Sequence, residues 1–180
     1  MSRFIRKQKH EIGLPPDELL FIGDKRTDEV ILRLIDYDGK NHQELKLNSI
    51  REILPYKTKN SASWLNVDGL HNQKFMHDIS QSFNLDKVIL ADVMNTSGRP
   101  KLAEHSNCLF LSIKMIYTDP ESEKLSIENL SLVLSENMLF SFQEKRGDVF
   151  DPTRERIRHQ KKPIRNPGEE YLAFAPLDFG

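Results

Sequence analysis

The chain has 180 residues, of which 38% are hydrophobic and 29% are charged, and its formal net charge is −1. This length suits a single domain that buries roughly 70% of its unfolded surface. The balanced charge is unlike that of nucleic-acid-binding domains, in which a clear basic excess is expected. No apolar run approaches the roughly 18–20 residues of a membrane helix, and the single cysteine, Cys108, excludes an internal disulfide. We therefore expect a soluble chain with a buried, unreactive thiol.

The first third of the chain predicts a short lead-in followed by strands. Residues 1–16 are predicted to be a mobile lead-in, because they end in a Gly-Leu-Pro-Pro run that resists helix and sheet. A short strand is predicted over 19–23 and a longer one over 29–37. The longer strand has apolar residues on both faces, which indicates an interior position in a sheet. The Asp-Gly-Lys-Asn run at 38–41 predicts a tight turn into a strand over 42–47, and hence a hairpin.

The middle of the chain alternates short helices with a strand. A helix is predicted over 49–54 and ends before Pro55, and a strand over 64–68 runs into a turn at Gly69. Apolar residues at helical spacing predict a helix through 72–84. A second helix is predicted from a capping Asp86 to about residue 95, before loop-forming residues.

Three further strands are predicted at 107–117, 125–134 and 138–142. In the second of these, apolar residues change from odd to even positions, which predicts a bulge near Glu128 and Asn129. Early helices between strands and later hairpins together predict a mixed sheet flanked by helices, an α/β fold.

The stretch over 143–158 ends the predicted sheet and begins a charged helix. Gly147 predicts a turn, and Asp151-Pro152 predicts a helix start with the aspartate as cap. The helix is expected to leave the sheet, and its basic residues indicate either a solvated surface or a contact for acidic proteins or lipid headgroups. These basic residues, with those of the following loop, are Arg154, Arg156, Arg158, His159, Lys161, Lys162 and Arg165. A further amphipathic helix is predicted to start near residue 169.

Several catalytic and nucleotide-binding motifs are absent from the sequence. It contains no Gly-x-Gly-x-x-Gly, no Gly-x4-Gly-Lys-Ser/Thr and no Gly-x-Ser-x-Gly. None of the six histidines is paired with another at i,i+4 and none is near Cys108, so a zinc site is not predicted. We therefore expect that the protein is not an enzyme. A metal-dependent hydrolase would need an activity that disappears when Asp92 is replaced by asparagine.

Four segments, in order along the chain, resemble the soluble domain of the CorA magnesium transporters. Residues 143–158 resemble that family's region Gln-Glu-Lys-x-Gly-Asp-Val-Phe-Asp-Pro-x-Arg-Glu-Arg-Ile-Arg, and residues 64–71 resemble its Trp-x-Asn-x-x-Gly-x-His segment. Residues 92–101 resemble its Asp-x-x-Asn-x3-Arg-Pro-Lys segment, and the Gly-Leu-Pro-Pro run at 13–16 resembles its opening. The resemblance extends over nearly the whole chain.

This resemblance implies an α/β/α sandwich around a mixed parallel and antiparallel sheet. It implies a lead-in over 1–16, a cytoplasmic domain over 17–165 and the start of a stalk helix over 166–180. The stalk would continue into two membrane helices with a Gly-Met-Asn motif, which this sequence lacks. The implied protein is a homopentameric Mg²⁺ transporter, with Co²⁺ as a second cargo, whose regulatory domain lies on the cytoplasmic face of the cell membrane.

The resemblance also implies a metal site between neighbouring subunits. Asp92 matches one carboxylate ligand of the family, and Asp178, seven residues after Tyr171, matches another. Mg²⁺ accepts one or two carboxylates and keeps several waters, so these residues suit it chemically. Close relatives carry glutamate before the matched aspartate, whereas this chain has Ala91, which offers no oxygen ligand.

Two alternatives stay open from the sequence. The soluble domain does not carry the motif that selects the ion, so a zinc-transporting relative with the same fold is one alternative. The other is a free-standing interaction module that has lost its membrane part and binds acidic partners through the basic residues at 154–165.

Overall fold

The computed structural model describes residues 15, 17–118, 123, 125–135, 138–147 and 150–159. Apart from Pro15, the predicted lead-in lies outside the described residues, as does the predicted start of a stalk helix over 166–180. Within the described residues the strands are β1 (Ile31–Tyr37), β2 (His42–Leu47), β3 (Ala62–Asp68), β4 (Lys101–His105), β5 (Cys108–Thr118), β6 (Leu125–Ser135) and β7 (Met138–Gln143). The α-helices are α1 (Gln73–Phe83), α2 (Lys87–Met94) and α3 (Asp151–Arg158).

All seven strands form one sheet in the order β2-β1-β3-β7-β6-β5-β4. The central pair, β3 and β7, is parallel, and every other neighbouring pair is antiparallel. The mixed sheet predicted from the sequence is thus confirmed. Because β3 and β7 are parallel, residues after each of these strands lie at the same end of the sheet.

The first face of the sheet is covered by α1 and α2. The buried side chains of α1 are spaced as predicted, at Met76, Ile79 and Phe83. Both helices begin at side-chain caps: Asn72 Oδ1 accepts a hydrogen bond from the Phe75 amide at 3.0 Å, and Asp86 Oδ1 accepts one from the Val88 amide at 2.9 Å. Each cap supplies an acceptor for a free amide of the first helical turn. The helices predicted over 72–84 and 86–95 are confirmed.

The second face is covered in part by α3. Trp64 of β3 is buried there, and its ring meets that of Phe150 edge-on, with the centroids 5.2 Å apart. The Trp64 indole donates a hydrogen bond to Ser141 Oγ at 2.9 Å, so its polar atom is satisfied in the core. Ile157 completes this second core. With helices on both faces, the α/β/α sandwich expected from the sequence is confirmed.

Three local predictions are wrong, and one strand was not predicted. The strand predicted over 19–23 is reduced to one bridge between Ile22 and Asn95. Pro55 does not end a helix; it lies at the start of a second 3₁₀ turn, Leu54–Thr58, where its missing amide proton is not needed. Strand β4 was not predicted, because its short mixed sequence Lys-Leu-Ala-Glu-His has little β character. The helix cap is not Asp151, because α3 begins at Asp151 and Phe150 occupies the cap position.

The predicted bulge near Glu128 and Asn129 is also wrong. The register of β5 with β6 runs without interruption from Leu109 opposite Leu134 to Thr118 opposite Leu125. The apolar pattern of β6 changes for another reason: its middle, residues 128–133, is buried on both faces, whereas Leu125 at its start is 70% exposed. Glu128 and Asn129 are therefore buried polar residues in a regular strand.

The helix α3 packs against the sheet instead of leaving it, because one of its basic residues is buried. Arg154 is 5% exposed, and its Nη2 donates a hydrogen bond to Asn66 Oδ1 at 3.0 Å. Its Nη1 donates to Asp151 Oδ1 at 2.9 Å, and its guanidinium lies 5.2 Å from the centre of the Trp64 ring. Arg154 thus belongs to the core and not to a solvated basic surface.

The polar contacts continue into the sheet. Asn66 Nδ2 donates a hydrogen bond to Oδ1 of the fully buried Asp68 at 2.7 Å, and Arg33 Nη2 lies 3.0 Å from Asp68 Oδ2. A buried carboxylate requires such donors, because an unpaired charge in the interior is far more costly. At the outer end of α3, Arg158 donates hydrogen bonds to Glu44 of β2 and lowers the pKa of that carboxyl.

We predict that Arg154→Ala destabilises the domain by roughly 2–4 kcal/mol. The substitution leaves Asn66 Oδ1 without its donor and removes the cation from the Trp64 ring. Urea denaturation measures the change. Arg51→Ala removes an exposed arginine from the first 3₁₀ turn and serves as the control, with an expected change within about 0.5 kcal/mol. Equal stabilities of the two variants would contradict a structural role for Arg154.

Candidate functional site

The predicted metal ligand Asp92 lies in the last turn of α2. Ile89, Leu90, Val93 and Met94 face the core and hold this helix against the first face of the sheet. The side chain of Asp92 therefore points away from the core and is 38% exposed. A carboxylate at a helix C-terminus meets the negative end of the helix dipole, so a cation beside it is stabilising. Asp92 is thus placed where a positive charge is favoured.

The cation beside Asp92 in this structure is Lys101, the first residue of β4. Lys101 Nζ lies 2.5 Å from Asp92 Oδ2, and its side chain is 45% exposed. Sequence reasoning missed this pair, although Lys101 closes the same motif that begins at Asp92. Exposed pairs of this kind contribute at most about 1 kcal/mol, because water competes for both charges. The Asp92 carboxylate can therefore exchange partners at low cost.

Asp92 and Lys101 lie at a cleft of about 250 Å³. The rest of its lining consists of Gly98, Arg99, Pro100, Phe110 and Ser112. Carboxylate and hydroxyl oxygens suit a hard cation, whereas the adjacent arginine and lysine oppose one. The cleft therefore accepts a cation only if Lys101 turns away from Asp92.

The described residues do not by themselves complete a metal site. No group of three or more histidine, cysteine, aspartate or glutamate side chains that would hold a metal ion occurs among them. Ala91 adds no ligand beside Asp92, as the sequence indicated. Asp178 lies outside the described residues, so its approach to Asp92 stays a prediction. Any Mg²⁺ held by Asp92 would need ligands from water and from elsewhere.

The basic residues at 154–165 do not form a continuous patch within the described part of α3. Arg154 is buried, and Arg158 pairs with Glu44 and with Glu155 of the same helix. Lys161, Lys162 and Arg165 lie outside the described residues. The charges of α3 are thus used largely for contacts within the domain.

No helix in the described part of the chain combines the length and the apolar character needed to cross a bilayer.

Comparison with known proteins agrees with the fold. The family model described as CorA-like Mg²⁺ transporter protein matches residues 59–174. The cobalt/magnesium transport protein CorA of Thermotoga maritima is 34% identical over 166 residues, which cover 92% of this chain and 47% of that protein. The chain therefore spans about half the length of this relative.

Solved structures share the fold at low sequence identity. Full-length CmaX matches with a TM-score of 0.61 and 18% identity over 87% of this chain and 47% of its own. The soluble domain of CorA from Methanocaldococcus jannaschii matches with 0.56 and 15%, over 82% and 54%. The ZntB cytoplasmic domain from Vibrio parahaemolyticus matches with 0.55 and 10%, over 82% and 56%. At these identities the likeness concerns the fold alone.

We predict that Asp92 and Lys101 are coupled by less than about 1 kcal/mol, and that the coupling weakens in about 1 M salt, where the Debye length falls to about 3 Å. A double-mutant cycle of Asp92→Asn and Lys101→Met, followed by urea denaturation at low and high salt, measures this quantity. A salt-independent coupling above about 2 kcal/mol would show that the pair is a fixed structural bridge, and that Asp92 is not available to a metal ion.

Proposed function

This chain belongs to the CorA-like Mg²⁺ transporter family, and we propose that it is the cytoplasmic regulatory domain of a longer transporter, in which Asp92 senses Mg²⁺. The observation that carries the proposal is the position of Asp92. It is a half-exposed carboxylate at the C-terminal end of a helix, on a cleft, and Lys101, the cation beside it, is also half-exposed.

The proposed site lies between neighbouring subunits. Asp92 supplies a carboxylate from one subunit, and Asp178 or another acidic residue supplies the opposing one. Two facing carboxylates about 4 Å apart repel by about 1 kcal/mol in water and by about 4 kcal/mol at a partly buried interface. A bridging Mg²⁺ removes this repulsion and adds attraction. Loss of the ion therefore loosens the interface, and this loosening is the proposed signal that opens the pore when cytoplasmic Mg²⁺ is low.

Lys101 gives this sensor a built-in competitor. The ammonium group and Mg²⁺ would share the same Asp92 oxygen, so the ion has to displace Lys101. Competition of this kind weakens the affinity, which suits a sensor of an abundant ion, because the site must empty when the concentration falls. The cleft beside the pair, at about 250 Å³, leaves room for the water ligands that Mg²⁺ retains.

The proposed cargo is Mg²⁺, with Co²⁺ as a second cargo. The support comes from the sequence relative, which is named a cobalt/magnesium transport protein and is 34% identical to this chain. The ZntB domain has the same fold at 10% identity, so the fold does not distinguish a zinc transporter from a magnesium transporter. A homopentameric assembly at the cytoplasmic face of the membrane is part of the same proposal.

We predict that Mg²⁺ at millimolar levels raises the melting temperature of a version of the protein that continues beyond residue 180. At a concentration tenfold above Kd the gain is about 1.4 kcal/mol, which corresponds to roughly 3–5 °C. Asp92→Asn should abolish the shift, because it removes the ligand charge. Asp28→Asn is the matched control, since Asp28 is fully exposed and pairs only locally with Lys25.

Lys101→Met sharpens this test. Without the competing ammonium, the melting temperature should respond to Mg²⁺ at several-fold lower concentrations than in the unaltered protein. The chain of 180 residues should respond little or not at all, because the opposing ligand is incomplete. An unchanged melting temperature of the longer protein, or an equal shift in Asp92→Asn, would contradict Mg²⁺ sensing at Asp92. Ion flux into vesicles that contain the full-length protein tests the cargo separately.

A further inference from the structure

Five buried polar atoms without a hydrogen-bond partner among the described residues lie on three neighbouring strands. They are both carboxyl oxygens of Glu128 in β6, both amide atoms of Gln143 in β7, and the hydroxyl of Tyr117 in β5. Glu128 and Gln143 are 0% exposed. A buried polar atom without a hydrogen-bond partner is destabilising, so five together require an explanation.

The strand register brings these three side chains together. Glu128 is opposite Met115, and Tyr117 is two residues further along the same strand, on the same face of the sheet. On the other side, Gln143 is opposite Leu130, which is two residues from Glu128. Tyr117 and Gln143 are therefore the diagonal neighbours of Glu128, at a spacing that side chains of this length can bridge.

Arg26 lies beside Glu128 but does not form a hydrogen bond with it. Arg26 places Nε 3.1 Å from Glu144 Oε2, whereas its Nη1 is 3.6 Å from Glu128 Oε1, too far for a hydrogen bond. Glu144 also accepts a hydrogen bond from the Asn129 amide at 2.9 Å. Arg26 thus lies between two carboxyl groups. Glu144 has the shorter contact with the arginine and also accepts the hydrogen bond from the Asn129 amide.

Other charged groups surround the pair from each adjoining segment. Asp24, before β1, raises the pKa of Glu144, and Lys114 of β5 lowers it. Lys114 Nζ also donates a hydrogen bond to the Thr96 carbonyl at 2.7 Å. Lys145 is the next residue after Glu144. The pKa of Glu128 is raised to about 7, chiefly by burial and also by Glu144, whereas Lys145, Arg26 and the Tyr117 hydroxyl lower it. The two cations do not compensate for the loss of water around the carboxyl.

We propose that Glu128 is an internal proton-binding site, a carboxylic acid that the fold holds in its neutral form beside the Gln143 amide. A neutral acid has one O–H donor and one carbonyl acceptor, and a primary amide has one carbonyl acceptor and N–H donors. The two groups are complementary, so one proton allows four of the five unpartnered atoms to be paired. An ionised Glu128 offers no donor and would leave the Gln143 oxygen unpaired.

The proposal predicts how the stability of the domain depends on pH. The folded state holds the Glu128 proton up to a pH of about 7, whereas the unfolded chain releases it near pH 4.3. Between these values the folded state binds more protons than the unfolded state, so its stability falls as the pH rises. Above about pH 7 the loss is complete.

Glu128→Gln tests the site, because it keeps the shape and removes the charge. At about pH 8 we expect this variant to melt about 5 °C or more above the unaltered 180-residue chain, and at about pH 5 the difference should shrink to a small part of that value. Glu104→Gln, on the exposed side of β4, is the matched control and should show no pH-dependent difference. A variant that is less stable at pH 8, or equally shifted at both pH values, would overturn the proposal, because Glu128 would then be an ionised partner of Arg26.

A second measurement follows the carboxyl group of Glu128 in the unaltered chain. Carbon-detected NMR of the glutamate side chains in the unaltered chain should show a carboxyl group that titrates near pH 7. In Glu128→Gln this resonance should be missing. The proposal is wrong if every glutamate of the unaltered chain has completed its titration by about pH 6.

Discussion

The fold depends on a buried arginine that joins the last described helix to the central strand. Arg154 reaches Asn66 by a hydrogen bond, lies over the Trp64 ring, and is linked through Asn66 to the buried Asp68 and to Arg33. These contacts connect two segments that are 88 residues apart in the chain. A buried guanidinium is stable only when its donors are used, so α3 has essentially one position on the sheet. The same contacts join the segments 64–71 and 143–158, because each supplies hydrogen-bonding partners to the other.

The two carboxyl groups with proposed functions differ in what their surroundings allow. Asp92 is half-exposed, so its charge is stable with or without a protein partner, and it can exchange Lys101 for a metal ion. Glu128 is fully buried and shares Arg26 with Glu144, so its charged form is disfavoured. Ion sensing therefore suits the first group and proton binding the second. The difference arises from position in the fold, since both residues are ordinary carboxylic acids in the unfolded chain.

Periodicity predicted the hairpin of β1 and β2, the helices α1 and α2, and the long strands β5 to β7, because each has one clearly apolar face or strong capping and turn residues. It failed where a tertiary contact decides the outcome. Arg154 was predicted to be solvated, because the residues near it in the sequence do not indicate that Trp64 and Asn66 contact it in the fold. The change of apolar positions at Glu128 was interpreted as a bulge. No sequence pattern distinguishes a buried carboxyl group in a regular strand from a residue in a bulge. The partner of Asp92 was missed for the same reason, since Lys101 is brought back to α2 only by a strand, β4, whose residues have little β propensity.

The positions of α2 and α3 restrict how a metal ion at Asp92 can affect distant parts of a longer protein. The two helices lie on opposite faces of one sheet, with buried aromatic and aliphatic layers on both sides of β3 and β7. Packed layers of this kind resist deformation, so a local change at Asp92 would be transmitted poorly through the sheet to α3. An effect on the position of the whole domain relative to its neighbours meets no such resistance. The rigid core thus favours a mechanism in which a bound ion moves entire domains, and in which the Arg154 contacts make α3 move together with the domain.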